Sequence, residues 1–140
     1  MKAKLIVAGV VLSVSVSFVA ACRGANSSNE KVIKSVKSGE LTITLSSPSG
    51  ELKNGENDLM ITFFDGDGKP VDVGAASLNF HMAAMGSMAE MNDRATLTTT
   101  EITGKYRAQV NIEMAGTWEA QVKYQGPHGS GRESMTVRAK

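Results

Sequence analysis

Cysteine occurs once, at Cys22. A lone thiol closes no disulfide within the chain, so the fold must stand on its core. Nor can it supply the thiolate sets of zinc or iron–sulfur sites. Histidine is almost as scarce, with only His81 and His128. Neither lies near a nucleophile motif, which leaves no Ser–His–Asp arrangement to defend. Charge of one sign is missing too: 15 basic residues stand against 14 acidic ones, for a net charge of +1. Such a chain offers no case for nucleic acid or for an anionic surface as partner. Helical periodicity is absent as well, so no glycine-rich phosphate cradle opens a helix. Asp65 and Asp67 fall in an Asp-Gly-Asp-Gly turn. An EF-hand loop there would need a ligand and a glycine where Lys69 and Pro70 stand. These exclusions point to a binding protein and away from an enzyme.

Long apolar runs are confined to the N-terminus. Lys2 and Lys4 precede the stretch Leu5 to Val19, which is shorter than the roughly 20 residues of a spanning helix. With small residues following, it reads as a secretory leader over residues 1–21. Its end, Val19-Ala20-Ala21-Cys22, resembles the lipobox of bacterial lipoproteins. That resemblance implies cleavage before Cys22, diacylation of its sulfur, and a chain held at the cell envelope by a lipid anchor in the membrane. An ordinary leader ending at Ala20-Ala21 is the alternative. The membrane of residence, inner or outer, stays open. Residues 22–38, polar and lysine-bearing, read as a flexible tether, and residues 39–140 as one domain.

Within that domain the hydrophobic period is two. Leu41, Ile43 and Leu45 alternate, as do Leu59, Ile61 and Phe63, then Leu78, Phe80 and Met82. Tyr106, Ala108, Val110 and Ile112 follow, then Trp118, Ala120, Val122 and Tyr124, and Met135 and Val137 finish the chain. Gly, Pro and Asp turns separate these runs. Leu97 sits in a threonine-rich stretch, Arg94 to Glu101, that reads as an edge strand. About seven short strands result, an all-β fold of the immunoglobulin-like β-sandwich type.

Half of the chain's 8 methionines lie in one eleven-residue window. It reads His81-Met82-Ala-Ala-Met85-Gly86-Ser-Met88-Ala-Glu-Met91. Thioether sulfur is a neutral, soft donor that favours Cu(I) over hard cations. It has no proton to lose, so such a site tolerates acid. On a continuing strand, three-residue steps would send successive methionines to opposite faces. A polyproline-like turn or a short helix would gather them, although Gly86 argues against a helix. The spacing therefore predicts a strand ending at Met82 and a loop from Ala83 to Met91. Met82 is in phase with the core, and His81 points the other way with Asn79. Metal ligation by His81, Met82, Met85, Met88 and Met114 competes with core packing at Met82 and a greasy docking surface at Met85 and Met88. Met91 and His128 are further candidates. Met60 and Met135 read as packing, and Trp118 as a core anchor.

Three segments carry a family resemblance: Asp67-Gly68-Lys69-Pro70-Val71; Asn79-Phe80-His81-Met82 with Met85, Gly86 and Met88; and Gly104-Lys-Tyr106 running on to Met114-Ala115-Gly116-Thr117-Trp118. Together they resemble the YtkA-like domain family, which is related to FixH-type domains and to modules found with CusB-type efflux proteins. The resemblance spans about Gly39 to Arg138. It implies a small extracytoplasmic β-sandwich concerned with copper, with a copper efflux or oxidase-assembly protein as partner. His81, Met82, Met85 and Met88 match its Met-rich pattern, and Met114 its second motif. Ser87 departs from it, standing where another metal-friendly residue would be expected.

Overall fold

The computed structural model describes residues 30–140. The leader, Cys22 and the first part of the tether lie outside the described residues. Among the described residues every regular element is a strand, and no helix is long and apolar enough to cross a membrane. The strands are β1 Lys31–Ser38, β2 Leu41–Ser47, β3 Gly55–Phe64, β4 Ala75–Met82 and β5 Met91–Arg94. They continue with β6 Thr96–Thr99, β7 Lys105–Ile112, β8 Gly116–Gly126 and β9 Gly129–Ala139. Two antiparallel sheets stack face to face, one ordered β1-β2-β3-β7-β6 and the other β5-β4-β8-β9. The all-β sandwich is as the alternation implies.

Alternation builds the core directly. Ile43, Leu45, Ile61, Phe63, Leu78, Phe80, Ala108, Ile112, Ala120 and Val122 are fully buried between the sheets, while their sequence neighbours point outward. Trp118 is also buried, and its indole N–H donates to the Met114 carbonyl at 2.9 Å, so its one polar atom costs nothing by burial. Phe63 packs edge-on against Tyr106 and Tyr124 at centroid separations of 5.8 and 5.7 Å. Tyr124 belongs to the opposite sheet, so this aromatic cluster spans the sandwich.

Two expectations differ from what is observed. Nine strands replace seven, and residues 31–38, read as tether, form β1. That strand pairs with β2 from Lys31↔Ser47 to Ser38↔Leu41 and packs against β9. A bulge between Val32 and Lys34 breaks its alternation, leaving Ile33 and Val36 as its half-buried contacts. Three-residue apolar spacing on a lysine-bearing edge does not look like a strand. The ninth strand comes from the polar run, which belongs to both sheets. Its chain crosses at Ala95, which is buried and donates its N–H to the Leu78 carbonyl at 3.0 Å. Residues before Ala95 pair with β4, and those after it with β7.

The end of β1 is tied into the core by chemistry as well as by its ladder. Ser38 Oγ and the Tyr124 hydroxyl lie 2.9 Å apart, both buried, 86 residues apart in the chain. Tyr124→Phe would leave the serine hydroxyl without its buried partner, and we expect a loss of about 1–2 kcal/mol. Urea unfolding of the two proteins measures it. An unchanged midpoint would mean that the Ser38–Tyr124 bond adds nothing to the folded unit.

Candidate metal centre

Three-residue spacing acquires its meaning from a turn. Gly86 has φ of 57°, and among the described residues none other than glycine takes a positive φ. Gly86-Ser87 is therefore the centre of a type II′ turn, with glycine at the position that demands left-handed backbone. Met85 and Met88 flank it and exchange both backbone bonds, N to O at 3.1 and 2.9 Å. Further back on the same two arms, Met82 pairs with Met91 as the last rung of β4 and β5. Both rungs share one centre, so the four methionines form two cross-strand pairs on a single hairpin. The strand end at Met82 is as the spacing predicts, whereas the loop beyond it is an ordered hairpin tip.

The two pairs have different surroundings. Met82 is 3% exposed, and its terminal methyl lies over Gly116, where an added Cβ would stand 3.0 Å away. Met91 is half-buried against the core. Met85 and Met88 are 58% and 42% exposed. All residues from 83 to 90 are exposed, and they are mainly alanine, glycine and serine, so no large side chain covers the two thioethers. Cross-strand neighbours on a hydrogen-bonded rung have Cα atoms about 5.5 Å apart, which lets two flexible Met side chains meet one ion. Among the described residues, no group of three or more His, Cys, Asp or Glu side chains is placed to hold a metal. Soft sulfur is what this tip offers.

The five expected donors are thus not gathered at one point. Met82 is a core residue at the base of the hairpin. Met114, in the turn between β7 and β8, is half-buried against the core, and its backbone carbonyl accepts from the Trp118 N–H. Its turn is anchored to β5, because the Glu113 N–H donates to Asp93 Oδ2 at 3.0 Å. His128 sits exposed in the β8–β9 turn. Met60 is half-buried on β3, and Met135 is buried.

His81 occupies the outer face of its sheet, opposite Met82, in a polar network that sequence reasoning did not detect. Its direction follows from one carboxylate. Glu119 accepts from Ser134 and Gln121, and these bonds, with Ser134 first, hold its carboxyl below the usual carboxylate range. Gln121 donates its amide to Glu119 at 3.5 Å and so turns its oxygen to the Asn79 amide, 3.3 Å away. Asn79 also donates to Asn92 Oδ1 at 3.1 Å. That oxygen can only accept, so His81 Nδ1, also 3.1 Å from it, must carry the proton. Nε2 then holds the free lone pair and faces Glu90 Oε2 at 3.9 Å. The stabilisation from Glu119 is present above the usual carboxylate range and fades as pH falls through its lowered value. Hairpin alternation puts the Met85–Met88 rung on the same face as His81. Four residues separate them, roughly 13 Å along an extended strand, beyond ready sharing of one ion.

A family model described as YtkA-like matches residues 35–123. Two solved structures match over 78% of this chain and 95% of theirs, each with a TM-score of 0.46. One is a copper-bound variant of FetP from uropathogenic Escherichia coli strain F11, at 10% identity. The other is FetP from the same strain in its as-isolated form, at 12% identity. That likeness is too distant to carry a ligand across. No curated protein matches.

The network makes a spectroscopic prediction. In long-range nitrogen–proton correlation spectra of the neutral ring, His81 should carry its proton on Nδ1, and Asn92→Ala should release that preference. A proton on Nε2 in the unaltered protein would contradict the chain of donors from Glu119.

Proposed function

This chain belongs to the YtkA-like family, and on that footing we propose that it is a lipid-anchored, extracytoplasmic module that captures or passes on Cu(I) through its Met-rich hairpin. The observation that carries the reading is the Met85–Met88 rung: two soft donors, paired by backbone bonds, exposed and ringed by small residues. Two thioethers can hold a d¹⁰ soft ion, and a tip without thiolates whose one carboxylate, Glu90, is turned toward His81 has little to offer hard cations. The donor set fits copper in its reduced state and gives no reason to expect Cu(II).

Each part of the hairpin has its own task in this reading. Met82 and Met91 pin the base to the core, Gly86 closes the tip, and Met85 and Met88 meet the ion. His81 stands behind the pair on the same face, too far along the strand to join it on one ion. Two donors leave the ion open to ligands from a partner, which suits handover to an efflux system or an oxidase under assembly. No step of bond making in a substrate is required, so the protein acts as a binder and not as a catalyst. The lipid anchor at Cys22 would keep the exchange at the membrane of the cell envelope.

Exposure of Met85 and Met88 also favours a second reading, in which the greasy tip docks a partner in a membrane complex and holds no metal. Leucine substitution separates the two, because it preserves volume and apolarity and removes sulfur. In an anaerobic titration of Cu(I) against a chromophoric chelator, the folded domain should bind one equivalent. Met85→Leu/Met88→Leu should weaken that binding by roughly two orders of magnitude, in line with the loss of soft ligation. Equal binding by both proteins, or none by either, would sink the copper reading.

A further inference from the structure

We propose that Met85 and Met88 are also a reversible oxidation site, and that converting them to sulfoxides switches soft-metal capture off; the second half of this rests on the copper reading above. Exposure sorts the methionines of the described residues into separate groups. Met85 and Met88 are 58% and 42% exposed, whereas Met82 and Met135 are 3% and 2% exposed. Met60, Met91 and Met114 lie between, each half-buried. A peroxide must reach the sulfur along an open line of approach, and among the described residues the hairpin tip leaves the widest one. Nothing lies within 4 Å of the position a Cβ would take on Gly86, and the neighbours Ala83, Ala84, Ser87 and Ala89 are too small to shield a thioether.

The chemistry is a two-electron oxidation by hydrogen peroxide. The sulfur lone pair attacks one peroxide oxygen, the O–O bond breaks, and an S–O bond forms. The departing oxygen takes a proton and leaves as water, so sulfur is oxidised while peroxide is reduced. One of the two sulfur lone pairs becomes the bond to oxygen; the other is left on an oxidised, much poorer donor, and the group's strongest donor is now a hard oxygen unsuited to a soft ion. Because the rung holds only two donors, one sulfoxide halves the site and two abolish it. Methionine sulfoxide is returned to the thioether by sulfoxide reductases, so the loss is reversible.

The placement spares the fold. Oxidation of a core methionine introduces a polar group among apolar side chains and disrupts packing. Met82 and Met135 are protected by that same packing, and the tip contributes no buried residue between 83 and 90. The switch therefore acts on the ligand site while the sandwich beneath stays intact.

The test treats the metal-free folded domain with hydrogen peroxide, locates the added oxygens by peptide mass mapping over time, and then titrates with Cu(I) under anaerobic conditions. Met85 and Met88 should be oxidised about tenfold or more faster than Met82 and Met135. The near-ultraviolet dichroism should remain native, Cu(I) capacity should fall with the doubly oxidised fraction, and sulfoxide reductase should restore it. Oxidation spread evenly over buried and exposed methionines would overturn the site. A protein that binds Cu(I) equally before and after oxidation would overturn the switch alone. One that binds none before oxidation would overturn the copper reading and the switch together, with the oxidation map standing as a separate result.

Discussion

The register of β4 governs both the core and the candidate site. A strand has two faces and no third choice, so burying Leu78, Phe80 and Met82 obliges Asn79 and His81 to face outward. The same register, carried around the Gly86-Ser87 turn, decides which methionines meet. Met82 reaches Met91 inside, and Met85 reaches Met88 outside. A slip of one residue would exchange the faces, placing His81 in the core and Met82 in water. That slip is opposed from both flanks, since β4 also pairs with β8 from Ala75↔Gln125 to His81↔Glu119. With no cysteine in the described residues to lock the sheets, packing and register carry the whole of this specification.

Much of the sandwich was readable from the sequence because period-two alternation is a direct image of a two-faced sheet. Leu41 to Leu45, Leu59 to Phe63, Tyr106 to Ile112 and Trp118 to Tyr124 were all placed on the correct face by their spacing alone. Where alternation fails, so did the reading. β1 hides behind a bulge and three lysines, and the change of sheets at Ala95 leaves no mark in a run of threonines. The methionine spacing was conspicuous, but its consequence depended on the turn. Three-residue steps scatter along one strand yet pair across a hairpin, and only the position of the II′ turn distinguishes the two. The amide chain from Glu119 to His81 was invisible because its members, Gln121, Asn79 and Asn92, come from three strands and form no local pattern.

Division of the methionines into an inner and an outer pair also resolves a conflict between two uses of the same side chain. Thioethers are good core fillers because they are flexible and apolar, and good soft ligands because the sulfur is polarisable. One residue cannot do both at once. Met82 meets Gly116 and is surrounded, which removes its sulfur from solvent and from any incoming ion. Met85 and Met88 gain little by packing and keep their sulfurs accessible. An expectation that all the methionines of the window act together therefore overlooks what the hairpin base must do to hold the tip in place.

Accessibility decides what kind of metal site such a tip can be. A buried site with four donors holds its ion tightly and releases it slowly, because each ligand is fixed and solvent is excluded. An exposed rung with two neutral donors has neither property, and its affinity is limited by the same openness that lets a second protein approach. Direct exchange needs an intermediate in which donors from both proteins share the ion, and a two-donor site reaches it without first losing a ligand of its own. On the copper reading proposed above, the weakness of the isolated pair would fit the hairpin for passing a soft ion along rather than storing it.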